Sequence, residues 1–175
     1  MKNPFLVVSS VVLLCFALSC KKQPEQGITE EEAKVLMDGA LKIFNEGDMS
    51  LIAGVYAPEV VAHTSTFPED LIGHEGIKRW VESSRAIFPD LNMTFDESIV
   101  KGNKIVTVWT LNGTNTGPMS MPSGTLPPTG KKIHVMGLAV DDVQNGKIVK
   151  ETVVYNVLEM MMQMGFTLTP PKAEE

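Results

Sequence analysis

The chain is short of positive charge, of cysteine and of metal-binding patterns. Its 15 Lys and Arg residues stand against 21 Asp and Glu, a formal net charge of −6. Nucleic-acid binding calls for basic patches, so that class of partner is disfavoured. Electrostatic docking onto an anionic membrane surface is disfavoured for the same reason. The three histidines, His63, His74 and His134, form no His-x-x-x-His and no His-x-Glu pair, and no Asp-x-Asp calcium loop is present. A metal centre is therefore not expected. No internal repeat stands out. The longest apolar run, Phe5 to Leu18, is too short to span a bilayer comfortably, which takes ~20 residues.

That run follows a lone Lys2 and precedes Ser19, Cys20 and two lysines. It suits the apolar core of a secretory signal. The whole segment resembles a bacterial lipoprotein signal, with Ala17 where Leu is commonest. The resemblance implies a signal over 1–19, lipid on Cys20, and a place in the bacterial cell envelope on the periplasmic or cell-surface side, held to the membrane by that anchor. An ordinary signal peptide or an uncleaved anchor is the alternative. Cleavage before Cys20 also removes Cys15, which excludes an intramolecular disulfide and a cysteine zinc site. Stability then rests on the core, for which the 43% hydrophobic content is sufficient.

A polar tether is expected over 20–28, one domain over 29–166 and a polar tail over 167–175. Thr29 and Glu32 have capping-box spacing, and Ala33, Leu36, Met37, Ala40, Leu41 and Phe44 recur at helical intervals. A short helix is expected from Ser50 to Tyr56, stopped by Pro58. A brief strand with His63 and a second long helix from His74 follow. Ile77, Trp80, Val81, Ile87 and Phe88 are spaced for burial in that helix. From Leu91 onward the period changes to two. "KGNK" and "QNGK" are hairpin turns, and the segment Pro118–Gly130 reads as a loop. Helices first and a strand meander afterwards indicate an α+β fold, with helices packed on one face of a curved antiparallel sheet. The open end of such a sheet is a common ligand site.

The stretches "VVAHTS", "GHEGIKRWVESSRAIFPDL", "LNGTNTG", "LPPTGKKIHVMGLAV" and "QNGKIVKETVVYNVLEMMMQMGF" resemble the SnoaL-like polyketide cyclases, also called ester cyclases. The resemblance runs from about Thr29 to Phe166. It implies the cone-shaped barrel of the nuclear transport factor two-like superfamily, shared with ketosteroid isomerases. It also implies a cofactor-free intramolecular aldol closure, with an aspartate late in the last strand as acid and base. The matching position here is Asn156, and the family's tryptophan four residues earlier is Thr152. An amide cannot exchange protons as a carboxylate does. It can only donate and accept hydrogen bonds.

His63 is then the alternative base, since imidazole titrates near working pH. The plainer reading is a hydrogen-bonded histidine at the cavity wall. His134 has the opposite parity to Ile133 and Val135, which points it outward, and His74 opens a helix in solvent. Asp141 and Asp142 precede a turn and read as solvated. Glu151 reads as a surface residue that lines the pocket only if Asn156 does not. Met160, Met161, Met162 and Met164 read as core and pocket lining rather than copper ligands, because consecutive helical residues diverge. Trp109, Met136 and Tyr155 are the expected cavity wall.

Two functions remain open. One is a surface-anchored domain whose cavity takes a small apolar or aromatic molecule and performs cyclase, isomerase or hydrolase chemistry with His63 and Asn156. The other is a binding or interaction module of the same fold without chemistry, favoured by the Asp-to-Asn departure. A structural lipoprotein without ligand ranks third. No cofactor is expected, and homodimerisation is left open.

Overall fold

The computed structural model describes residues 27–121 and 124–169. The signal, the Cys20 lipidation expectation and most of the tether lie outside these residues. Among the described residues no helix is long and apolar enough to cross a membrane.

Helix α1 spans Glu30–Glu46. Its first turn is closed by the expected capping box: Thr29 Oγ1 accepts from the Glu32 amide and Glu32 Oε2 accepts from the Thr29 amide at 2.8 Å. Gly47 ends it in the left-handed region, where glycine carries no Cβ penalty. Ala33, Leu36, Ala40, Ile43 and Phe44 form its buried stripe. A 3₁₀ turn, Met49–Leu51, leads into α2, Ile52–Val55. Strand β1 then starts at Tyr56 and runs to Thr64. Pro58 therefore sits inside a strand instead of stopping a helix. The pairing of β1 shifts register between Tyr56 and Val61, and an irregular stretch is where a strand tolerates proline. After β2, Leu71–Ile72, comes α3, Gly73–Ile87, which buries Ile77, Trp80 and Val81.

The meander follows: β3 (Asn92–Lys101), β4 (Lys104–Thr114), β7 (Lys132–Gln144) and β8 (Lys147–Tyr155). Between β4 and β7 the expected loop contains a small hairpin, β5 (Met119–Met121) with β6 (Gly124–Leu126). Helix α4, Val157–Gln163, closes the fold. The turn between β7 and β8 has positive φ at both Asn145 and Gly146, the pattern of a two-residue type I′ hairpin.

The main sheet has the order β2-β1-β8-β7-β4-β3. Its pairs are antiparallel except β1 with β8, which is parallel. This is the departure from the antiparallel expectation. The meander starts at the far edge and ends beside β1, and the intervening chain supplies the long connection that a parallel pair needs.

Helices α1 and α3 cover the inner face of the sheet, forming one apolar cluster that includes Phe44, Trp80, Trp109 and Val153. Phe44 and Trp80 meet edge to face with centroids 4.9 Å apart. Trp109 lies directly over Gly137. A Cβ at that position would fall 2.1 Å from the indole ring, so the strand opposite Trp109 has no room for a side chain. A second cluster at the other end joins Phe88, Leu91, Ile133 and Val135 to Met160 and Met164 of α4. The methionine run thus divides: Met160 and Met164, one helical turn apart, fill the core, while Met162 is exposed.

Candidate active site

Strand parity decides what faces the interior. On β7 the buried positions are Ile133, Val135, Ala139, Asp141 and Val143. On β8 they are Ile148, Glu151 and Val153. Asp141 and Glu151 are direct cross-strand partners. Their residues are 6% and 8% exposed. Two like charges opposite one another on a buried face cannot both ionise cheaply. Tyr56, at the start of β1, is wholly buried and pairs with Ile148 of β8.

Asp141 and Glu151 line a small interior cavity of about 30 Å³, and Tyr56 stands behind that lining, close to Glu151. Its wall is apolar: Met37 and Phe44 from α1, Trp80 from α3, Met93 and Phe95 from β3, and Trp109 from β4. Asp141 and Glu151 are the charged side chains in the lining. The Tyr56 hydroxyl, Asp141 Oδ1 and Glu151 Oε2 all lack a hydrogen-bond partner, as does Thr107 Oγ1 on the same face of β4. Buried polar atoms are nearly always paired, and leaving one unpaired costs ~1–3 kcal/mol. Orphaned oxygens beside a cavity make this cluster the candidate site.

The electrostatics follow from burial. Desolvation raises the Glu151 carboxyl to about 7, an effect that the Tyr56 hydroxyl partly opposes. Burial raises Asp141 well above the carboxylate range, and the nearby Glu151 and Asp142 charges raise it further. Burial, then Glu151 and Asp141, keep the Tyr56 phenol protonated far into the basic range. Tyr56 is thus close enough to act on Glu151, although neither orphaned oxygen completes a hydrogen bond of normal geometry. The arrangement offers one carboxylate that titrates near neutrality and two neutral O–H donors.

The expected site residues are only partly brought together. Trp109 lines the cavity. Tyr155 is half-buried, edge to face with Trp109 at 5.6 Å. Met136 is corrected: it is 60% exposed on the outer face, because Val135 and Gly137 take the inner parity. Asn156 is also corrected as a pocket residue. It is exposed, and its Oδ1 accepts from the Glu159 amide at 3.0 Å as the N-cap of α4. Glu151, Val153 and Tyr155 share the inner side, so the next residue leaves the sheet pointing outward. His63 faces out of β1, and its Nδ1 lies 2.9 Å from Asp70 Oδ1. His134 likewise faces out, bonded to Asn112 at 2.8 Å. His74 reaches back instead, its Nε2 donating to the Tyr56 carbonyl at 3.0 Å. Among the described residues no three His, Cys, Asp or Glu side chains converge.

Asp141 and Glu151 were misread as surface acids. The signal for Asp141 was present in the sequence: it falls on the parity of Ile133, Val135 and Ala139. Glu151 was less legible, since a register shift separates it from Ile148.

The profile of the SnoaL-like polyketide cyclase family matches residues 34–164, and the chain belongs to that family. The fold agrees with solved relatives. TsrD from Streptomyces laurentii superimposes with a TM-score of 0.69 at 23% identity, over 79% of this chain and 98% of its own. IdmH from Streptomyces antibioticus, a candidate polyketide cyclase, gives 0.63 at 24% identity, over 76% and 98%. A SnoaL-like candidate cyclase from Jannaschia gives 0.65 at 18% identity, over 83% and 99%. No curated protein matches the sequence.

Proposed function

We propose that the protein is a cofactor-independent acid–base enzyme of the cyclase or isomerase type, acting on a small neutral carbonyl compound inside the cone. The observation that carries this reading is the Tyr56–Asp141–Glu151 cluster, whose two carboxyls, each with an orphaned oxygen, line an aromatic-walled cavity with the orphaned Tyr56 hydroxyl beside Glu151. Glu151, ionised in part near neutral pH, takes the proton from the carbon next to a carbonyl. The C–H electron pair moves to the carbonyl oxygen. Tyr56 and neutral Asp141 donate hydrogen bonds to that oxygen, a pattern in which a buried carboxylic acid stays neutral in order to donate. Return of the proton from Glu151 to the same carbon is exchange, and its delivery to the far carbon of a conjugated dienolate is isomerisation. Alternatively the enolate carbon attacks a second carbonyl, and Glu151 protonates the resulting alkoxide, which is cyclisation. The acid–base role that the family resemblance assigns to the Asn156 position thus passes to Glu151.

The closed cavity admits a water-sized group. Substrate entry therefore requires Met37 and Met93 to swing, which unbranched thioether side chains do readily. The test is α-proton exchange: small neutral β-keto esters in deuterated buffer, followed by NMR. Wild-type protein should accelerate exchange, and Glu151→Gln should lower the rate at least ~100-fold, the low end of general-base contributions. Tyr56→Phe should have a smaller effect in the same direction. No exchange above buffer by wild-type protein would sink the catalytic reading. It would leave the binding module, which the small cavity favours.

A further inference from the structure

We propose that the same cavity is a recognition site for a primary alkylammonium head group, held by Asp141, Glu151 and Tyr56. This shares its location with the proposed function but not its chemistry, since binding requires no turnover.

The match is one of donors to acceptors. A primary ammonium presents three N–H donors and no acceptor. The cavity lining presents two orphaned oxygens, Asp141 Oδ1 and Glu151 Oε2, and the Tyr56 hydroxyl, behind the lining and close to Glu151, is a third within the cluster. All three belong to side chains whose residues are more than nine-tenths buried, so water does not compete for them as it does at a surface. Thr107 Oγ1, also orphaned and buried, stands on the neighbouring strand. The space of about 30 Å³ suits one water-sized head group. Around it stand Phe44, Trp80, Phe95 and Trp109. Aromatic faces attract cations, more strongly where water is excluded, and the attached alkyl chain lies along the apolar wall once Met37 and Met93 swing aside, as for the carbonyl substrate.

Charge supports the same class. No Lys, Arg or His lines the cavity, so nothing there compensates the carboxyls. α1, α3, β3 and β4 present only apolar or aromatic side chains to it, and Tyr56 of β1 is the other titratable group that faces the pair. An anionic ligand would meet two carboxyls and no cation. A hard metal ion asks for about six oxygen ligands, and the walls supply ring carbons and thioethers. An alkylammonium head group uses the oxygens and the rings together. Its binding needs Glu151 ionised, so affinity should follow the titration of that carboxyl near 7.

The experiment is calorimetric titration of the whole protein with n-butylammonium chloride. n-Butanol serves as the uncharged isostere, tetramethylammonium as the cation without N–H donors, and KCl as the salt control. Saturable binding of butylammonium is expected, about tenfold tighter at pH 8 than at pH 6, because one group titrating near 7 is ionised about tenfold more at the higher pH. Butanol and tetramethylammonium should each bind at least ~10-fold more weakly, since each loses the charge or the donors. Glu151→Gln should weaken butylammonium by a similar factor, and Asp38→Asn, on the exposed side of α1, should not change it. The pH series on wild-type protein keeps the test independent of whether a variant folds. The inference is overturned by any of three results: no saturable heat with butylammonium, equal binding of butanol, or affinity independent of pH. Loss of ammonium binding with α-proton exchange intact rejects this inference alone. The reverse result rejects the catalytic reading alone.

Discussion

Asp141 and Asp142 are adjacent in β7 and lie on opposite faces of the sheet. Asp142 points outward and pairs with Lys104 across to β4. Asp141 points inward, faces Glu151 and has an oxygen without a partner. The contrast extends along both strands. The outer side of β7 and β8 carries Met136, Leu138 and Val154, exposed yet apolar. The inner side carries two carboxyls, buried yet charged in principle. Exposed apolar side chains are ordinary on a protein surface. Buried unpaired acids are not, and they cost the inner face stability that the outer face does not lose.

The sharpest way to break this comparison is to vary pH. The Glu151 carboxyl titrates at about 7 in the fold against a usual 4.5. A raised carboxyl pKa means that the folded state holds the proton more tightly than the unfolded state. Its stabilising contribution is present at low pH and is lost as pH rises from about 4.5 through 7. The loss should be on the order of 3 kcal/mol between pH 4.5 and pH 8. Denaturant titrations across that range should show wild-type stability falling more steeply than that of Glu151→Gln, in which the buried Asp141 carboxyl still contributes a slope of the same sign. Equal slopes in both proteins would mean that Glu151 is solvated and the two faces are alike.

A second variant probes the inner face without touching charge. Gly137→Ala places a methyl group against the Trp109 ring. Overpacking of this kind costs ~1–3 kcal/mol. The unfolding midpoint should drop by that amount, with a shift in tryptophan fluorescence as Trp109 moves. No change in either would show that the cavity wall yields freely.

The smallest expected effect belongs to the outside. Asn156→Ala removes the N-cap of α4 and should cost ~1 kcal/mol. Asn156→Asp should restore the cap without any gain in α-proton exchange. A large loss of exchange in Asn156→Ala would bring residue 156 back into the site and undo the division between faces.

Much of the cone was legible before the structure. Thr29 with Glu32, and Asn145 with Gly146, mark a helix start and a strand turn by chemistry confined to four residues. The alternation from Ile133 to Val143 marked the inner side of β7. The site was less legible. The resemblance matched Asn156 to the family's aspartate, but the chain turns there into α4, and a cap is what the side chain becomes. His63 looked like a spare base and is a surface partner of Asp70. Tyr56 gave no signal, since it was expected at the end of a helix.

The sequence by itself determined the order of the long helices and strands, the cap of α1, the hairpin turns and the family to which the chain belongs. These depend on local propensity, on hydrophobic period and on motifs that survive alignment. Only the tertiary structure decided which acids are buried. That depends on the parallel pairing that sets Tyr56 beside β8, on the register that sets Asp141 opposite Glu151, and on the helices laid over both. Burial is a property of what packs across from a residue, and no stretch of chain contains its own opposite wall.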